Sequence, residues 1–199
     1  MNDDLSRMAR MYDTGPDPWR IGEGFYEQRK RQILLGCLPE PRYASCFEPA
    51  CGNGDLTVLL AERCDRLLAV DIAPPAVERA AARLAARSGV QVRRMAVPAN
   101  WPDQRFDLIV LSEFGYYQSW PDWQSVVART ADSLTGQWTV IACHWLPDFA
   151  ERRSATAALH AELASRLPGR NTLQLRDEDF WLDVFTGRAQ SVAAREGRL

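Results

Sequence analysis

Two glycines, Gly52 and Gly54, close a short apolar run and open an amphipathic one in the segment Cys46-Phe-Glu-Pro-Ala-Cys-Gly-Asn-Gly-Asp-Leu-Thr57. A strand, a tight turn and a helix are expected there, because glycine accepts positive φ and lacks a Cβ, letting the backbone lie flat against a nucleoside-bearing ligand. Seventeen residues past Gly54, Asp71 ends a second apolar run, Arg66-Leu-Leu-Ala-Val-Asp71. An acid at the tip of the second strand can accept from both hydroxyls of a ribose, so the pair of features points to an adenosine-containing cofactor. Two further groups could do chemistry at strand ends. Glu113 follows Phe106-Asp-Leu-Ile-Val-Leu-Ser112, where it could hold a substrate ammonium or take its proton. His144 follows the apolar run 137–142, and an imidazole with a pKa of about 6.5 can deprotonate an amine or alcohol near neutral pH. Both are candidate catalytic residues, since open parallel sheets bind ligands at the carboxyl ends of their strands.

A dinucleotide would bring a pyrophosphate and need a third glycine where the helix starts. Thr57 stands there, and the register of the first glycine falls at Ala50. The loop Glu48-Pro-Ala-Cys-Gly-Asn-Gly54 instead resembles motif I of the class I S-adenosylmethionine methyltransferases. Asp17-Pro-Trp-Arg20, Tyr26-Glu27, the glycine loop, Asp71, Phe106 to Glu113, Tyr116-Tyr117 and Cys143-His-Trp145 follow in an order similar to the nodulation-type N-methyltransferases, the nodulation protein S family.

That resemblance implies S-adenosylmethionine as cofactor and S-adenosylhomocysteine as product, with transfer to a small-molecule acceptor, an amine of the amino-sugar or deacetylated-oligosaccharide type. Transfer to oxygen, or binding without turnover, are the alternatives. It implies cofactor contacts from Trp19, Arg20, Glu48, Ala50, Cys51, Gly52, Gly54, Asp71, Ile72, Ala96, Val97 and Ser112. Within that set, Arg20 would clamp the methionine carboxylate and Glu48 the cofactor ammonium. Trp19, Tyr116 and Tyr117 present aromatic faces, which attract a sulfonium or ammonium by about 0.5 to 2 kcal/mol, and the two tyrosines are candidate acceptor contacts. Two departures stand out: Ala50 replaces the usual glycine, and the window 95–98 lacks the acid that commonly bonds adenine.

Length and composition suit one α/β domain: 199 residues, 46% hydrophobic, net charge −2. Lys30 is the single lysine, and the run Arg29-Lys30-Arg31 reads as a solvated helix face, so no nucleic-acid surface is expected. Cysteines 37, 46, 51, 64 and 143 form no Cys-x-x-Cys pair, which predicts reduced thiols and no metal site. The start Met-Asn-Asp-Asp lacks signal-peptide character and no run is long enough for a bilayer, so a cytoplasmic protein with no membrane partner is expected.

The elements that must position these residues alternate. Residues 1–20 read as a mobile arm, followed by a helix over 21–36. Strands at 44–48, 66–71, 90–95, 106–111 and 137–142 alternate with helices after the glycine loop and over 74–87, 120–134 and 152–166. Val77, Ala80, Ala81 and Leu84 are expected to face inward, and Gly136 to stop the helix over 120–134. His160 is placed on the surface. The runs 172–175 and 180–185 are too close for a crossover and predict an antiparallel hairpin. The expectation is an α/β, Rossmann-like doubly wound sheet of seven strands, mostly parallel with a reversed last strand. An arm and helix over 1–40 would act as a lid on a core over 41–199.

Overall fold

The computed structural model describes Met11, Tyr12 and residues 14–199; the rest of the predicted arm, residues 1–10 and Asp13, lies outside the described residues. A seven-stranded sheet runs β3-β2-β1-β4-β5-β7-β6. Its strands are β1 (Cys46–Pro49), β2 (Leu67–Asp71), β3 (Val90–Arg94), β4 (Phe106–Ser112), β5 (Leu134–Trp145), β6 (Arg170–Arg176) and β7 (Phe180–Thr186). The first five are parallel, while β7 lies antiparallel between β5 and β6, as the short connection demanded. This is the doubly wound sheet with a reversed last strand. Strand order turns around between β1 and β4, so the loops leaving those two strands diverge and open a cleft.

Side-chain alternation splits the core between the faces. Ile109, Leu111, Val140 and Ala142 pack with Phe47, Trp123 and Leu159 on one side. Leu108, Val110, Ile141 and Cys143 pack with Leu34 and Leu60 on the other.

The helices are α1 (Phe25–Gly36), α2 (Asp55–Ala61), α3 (Pro74–Leu84), α4 (Trp120–Asp132), α5 (Thr156–Arg166) and α6 (Val192–Arg195). Helix α1 begins four residues later than expected, because the Asp17 carboxylate accepts from the amides of Ile21 and Gly22 and holds that stretch in turns, and Gly24 is left-handed (φ +86°). Helix α3 buries Ala80 and Leu84 as expected, together with Ala76; of the other two residues expected inward, Val77 is half-buried and Ala81 exposed. Helix α4 starts as expected, the Ser119 hydroxyl accepting from the Asp122 amide at 3.3 Å. It ends at Asp132, and Gly136 lies inside β5, which begins at Leu134. Helix α5 begins at Thr156, not 152. The Arg152 guanidinium is occupied with the carbonyls of Trp145, Leu146 and Pro147, which keeps the preceding residues in a loop. Among the described residues no helix is long and apolar enough to cross a membrane, and the five cysteines are unpaired.

Candidate functional site

A cavity of about 1000 Å³ opens where the strand order reverses. Its lining comes from the segment before α1, from α1 itself, from the loops after β1, β2 and β3, and from the carboxyl ends of β4 and β5. Of the sequence-predicted residues, Trp19, Arg20, Glu48, Ala50, Cys51, Gly52, Asp71, Ile72, Ala96, Val97, Ser112, Glu113, Tyr116 and Tyr117 are brought together here; Gly54 and His144 are not.

The glycine-loop end is built from backbone. Ala50, Gly52 and Gly54 take φ of +57°, +55° and +82°, so the loop turns through three left-handed residues in five. Asp71 staples it: Oδ2 accepts from the Gly52 amide and Oδ1 from the Ala73 amide, each at 2.9 Å. Burial raises the Asp71 carboxyl above its usual range, partly offset by those amide bonds. Gly54 faces away from the cavity. A Cβ there would lie 3.1 Å from that of Ala80, so this glycine serves the packing of α2 on α3. Glu48 is 3% exposed, its Oε2 has no partner, and burial pushes its carboxyl up to about 8. A buried oxygen of this kind fits a ligand that brings a cation or N–H donor.

The segment before α1 forms one wall. The Pro16 carbonyl accepts from Asn53 of the glycine loop (2.9 Å) and from Arg79 of α3 (3.1 Å). The Trp19 ring lies 5.5 Å from Tyr12 and 6.4 Å from Tyr117. Arg20 is left-handed (φ +56°) and exposed, 3.8 Å from Glu23.

The opposite end is built from side chains. Glu113 is left-handed too (φ +58°), so the backbone leaving β4 turns its carboxylate toward α1. Oε1 accepts from Lys30 Nζ at 2.9 Å; Oε2 accepts from the Tyr116 hydroxyl and from the Trp145 amide at 3.3 Å. Lys30 also donates to Glu27 at 2.9 Å. The expectation of a solvated Arg29-Lys30-Arg31 face fails at its centre, since Lys30 is 6% exposed and lines the cavity. Burial alone would lower its pKa, but Glu113 and Glu27 outweigh that and hold the ammonium above its usual range. Tyr116 and Tyr117 pack edge-on at 4.9 Å, with Phe149 at 5.0 and 5.5 Å from their rings.

Lys30, Glu27, Tyr26 and Phe149 are site residues that sequence reasoning did not select. A signal for Lys30 was present: a chain that writes its other cations as arginine keeps one lysine.

His144 does not reach the cavity. Strand β5 continues through Trp145, paired residue by residue with β7, so the alternation sends Cys143 and Trp145 to the cavity side and His144 into the core beneath α4 and α5. It is fully buried, and Nε2 accepts from the Gly115 amide at 3.2 Å. Its pKa is pushed well below the ordinary range by burial, then by His160 and the cations Arg152 and Lys30. The expectation of a general base in contact with substrate therefore fails on geometry. His160, expected on the surface, is 1% exposed and bonded to His144 and Asp183.

The sequence model of the nodulation protein S family matches residues 2–129. Nodulation protein S of Bradyrhizobium diazoefficiens is 35% identical over 102 residues, 51% of this chain and 49% of that protein. The chain spans about half the length of the curated relatives it matches. Among solved structures, a Pseudomonas syringae protein assigned to the methyltransferases is 38% identical, with a TM-score of 0.74 over 82% of this chain and 99% of that one. The N-methyltransferase of Bradyrhizobium japonicum WM9 in complex with S-adenosylhomocysteine shares the fold at 21% identity, with a TM-score of 0.81 over 92% of this chain and 98% of that one.

Proposed function

The chain belongs to the nodulation protein S family, and from that premise we propose that it is an S-adenosylmethionine-dependent methyltransferase acting on the nitrogen of a small-molecule amine, of the amino-sugar or deacetylated-oligosaccharide class. When bound, the cofactor supplies an electrophilic methyl on a sulfonium. The glycine-loop end suits its nucleoside and amino-acid parts: Asp71 faces the cavity from the tip of β2, Ile72, Ala96 and Val97 offer an apolar slot for a base, and the unpartnered Glu48 oxygen suits an ammonium. Segment 14–24, with Trp19 and Arg20, would close over it as a lid.

The observation that carries the acceptor assignment is the Glu113 carboxylate at the far end. Glu113 and Glu27 share the Lys30 ammonium, and Glu27 has a second cation in Arg31 at 3.8 Å, so Glu113 is the carboxylate whose charge is only partly met. A neutral amine that attacks a methyl becomes an ammonium, and the positive charge arriving on that nitrogen is stabilised by fixed carboxylates already in place. Glu113 Oε1, with one bond from Lys30, has capacity for an acceptor N–H, which would orient the nitrogen lone pair toward the glycine-loop end. Tyr116, Tyr117 and Phe149 shield this corner from water, with the Arg152 guanidinium over the rings of Tyr116 (5.3 Å) and Phe149 (4.9 Å). The methylated nitrogen keeps its own protons and carries the positive charge away with the product while the sulfonium becomes a thioether, so the transfer itself needs no buried base, in keeping with the position of His144. The lining offers no extended basic surface for nucleic acid, and the reaction would take place in the cytoplasm.

Two measurements test this. Calorimetry with S-adenosylhomocysteine and with NAD should give binding for the first alone. Incubation with S-adenosylmethionine and parallel panels of small amines and alcohols should give methylated nitrogen by mass spectrometry. Heat from NAD alone defeats the cofactor assignment, and methylated oxygen defeats the acceptor assignment.

A further inference from the structure

A buried line of hydrogen bonds runs from the last strand to the turn that carries Glu113 and Tyr116, through groups the reaction above does not use. Asp183 on β7 is 1% exposed, and its Oδ2 lies 2.7 Å from His160 Nδ1 on α5. His160 Nε2 is 3.1 Å from His144 Nδ1, and His144 Nε2 is 3.2 Å from the Gly115 nitrogen. Both ends fix the direction of this line. A backbone N–H can only donate, so His144 Nε2 accepts and its proton sits on Nδ1. That N–H donates to His160 Nε2, whose proton is then on Nδ1 and donates to Asp183. Both histidines are neutral and share one tautomer. Asp183 is held below the ordinary carboxylate range despite its burial, chiefly by its contact with His160.

The surroundings leave little freedom. His160 stacks on Trp181 at 5.1 Å, and the His144 ring is edge-on to Tyr116 at 5.5 Å and Trp123 at 5.8 Å. Gly115 is pressed so close that a Cβ would lie 2.8 Å from His144 Nε2 and 2.9 Å from Trp123. Tyr116 follows this glycine and Glu113 lies two residues before it, across the buried Phe114, so whatever holds its amide holds the turn that carries both.

We propose that Asp183, His160 and His144 are positioning residues that set the Gly115 turn, and through it Glu113 and Tyr116, in the geometry an acceptor meets. Its link to acceptor chemistry rests on the methyl-transfer reading; the line itself does not. All three residues lie beyond the stretch that the family model covers.

The Trp181 indole N–H donates to Asp183 Oδ1 at 3.2 Å, and this makes the isosteric change Asp183→Asn informative. The amide oxygen stays under the indole, so the amide NH2 takes the place of Oδ2 and donates to His160 Nδ1. Every proton in the line then reverses, and His144 Nε2–H meets the Gly115 N–H donor to donor.

Nitrogen-15 spectra of the imidazoles read this directly. The wild type should show both histidines as Nδ1–H. Asp183→Asn should show both as Nε2–H, with Gly115 amide exchange faster by on the order of tenfold. S-adenosylhomocysteine affinity should stay within about twofold, since the glycine loop stands on other elements. Adding Trp181→Phe frees the amide to turn its oxygen toward His160 and should restore both the Nδ1–H signals and Gly115 protection. A merely structural role predicts further loss from that second change. Nε2–H histidines in the wild type, or an unchanged Gly115 amide in Asp183→Asn, would overturn the proposal. If the wild type bound no S-adenosylhomocysteine, the methyl-transfer reading would fall while the tautomers still decided this one.

Discussion

The two ends of the cavity are made in opposite ways. At the glycine-loop end the chemistry comes from one contiguous stretch and the strand beside it: left-handed backbone at Ala50 and Gly52, the buried Glu48, and the Asp71 carboxylate bonded back to that backbone. At the far end it comes from side chains distant in sequence, Lys30 of α1 meeting Glu113 just after β4 across 83 positions, with Tyr116 and the Trp145 amide completing the carboxylate's partners. A cofactor common to many enzymes can be met by local backbone geometry. An acceptor particular to one enzyme is met by tertiary assembly, and the two ends should therefore respond separately to mutation.

Lys30→Met is the sharpest way to break the far end. It leaves Glu113 without its cation and Glu27 with Arg31 alone, and because both carboxylates are only half-buried the loss of two charge-assisted bonds should lower stability by about 2 to 4 kcal/mol in urea unfolding. Lys30→Met combined with Glu113→Gln should recover part of that loss. If Lys30→Met costs nothing, the cluster is not an electrostatic unit and the contrast between the two ends collapses.

Asp71→Ala tests the other end. It removes the acceptor of two loop amides and the candidate ribose contact, and should weaken S-adenosylhomocysteine binding by about 1.5 to 3 kcal/mol in calorimetry. The Lys30–Glu113 cluster should be untouched. Equal affinity in the variant would remove Asp71 from the cofactor site.

The same contrast explains what the sequence could reveal. The sheet, the glycine loop and Asp71 were legible because they depend on period, turn residues and short spacing. The placement of His144 was not, because it turns on strand length. An expected end at 142 leaves a histidine in a loop, whereas β5 running to Trp145 fixes its side by alternation. Lys30 was misread because a charge run is usually solvated, and nothing local states that a carboxylate 83 positions away will cover it. His160 and Asp183 are likewise explicable only once α5 lies on β5 and β7.

Glu48 gives a pH-dependent test of the glycine-loop end. Its carboxyl is raised from an ordinary value to about 8 by burial, so its neutral form contributes stability that is fully present below pH 4.5 and lost as pH rises through about 8. At pH 7 the free protein therefore holds this proton. A ligand ammonium against Oε2 would expel it, so binding of S-adenosylhomocysteine should release most of one proton and tighten as pH rises from 6 toward 8. Enthalpies in buffers of different ionisation heat measure the release, and Glu48→Gln should abolish it. Buffer-independent enthalpy in the wild type would rule out an ammonium at Glu48.

The smallest effect separates strain from function. Among the described residues, the non-glycine residues with positive φ are Arg20, Ala50 and Glu113, and all three line the cavity. Left-handed backbone costs a residue with a Cβ about 1 kcal/mol or more, while glycine avoids it at a cost in unfolded-state entropy of about 0.4 to 1 kcal/mol. Ala50→Gly should therefore raise unfolding stability by about 0.5 kcal/mol and leave S-adenosylhomocysteine affinity unchanged, because the loop already has the shape a glycine would choose. A gain in affinity instead would mean that the Ala50 methyl restricts the loop's approach to its ligand. A clear loss of stability would mean that the methyl's contacts with its apolar neighbours outweigh the strain.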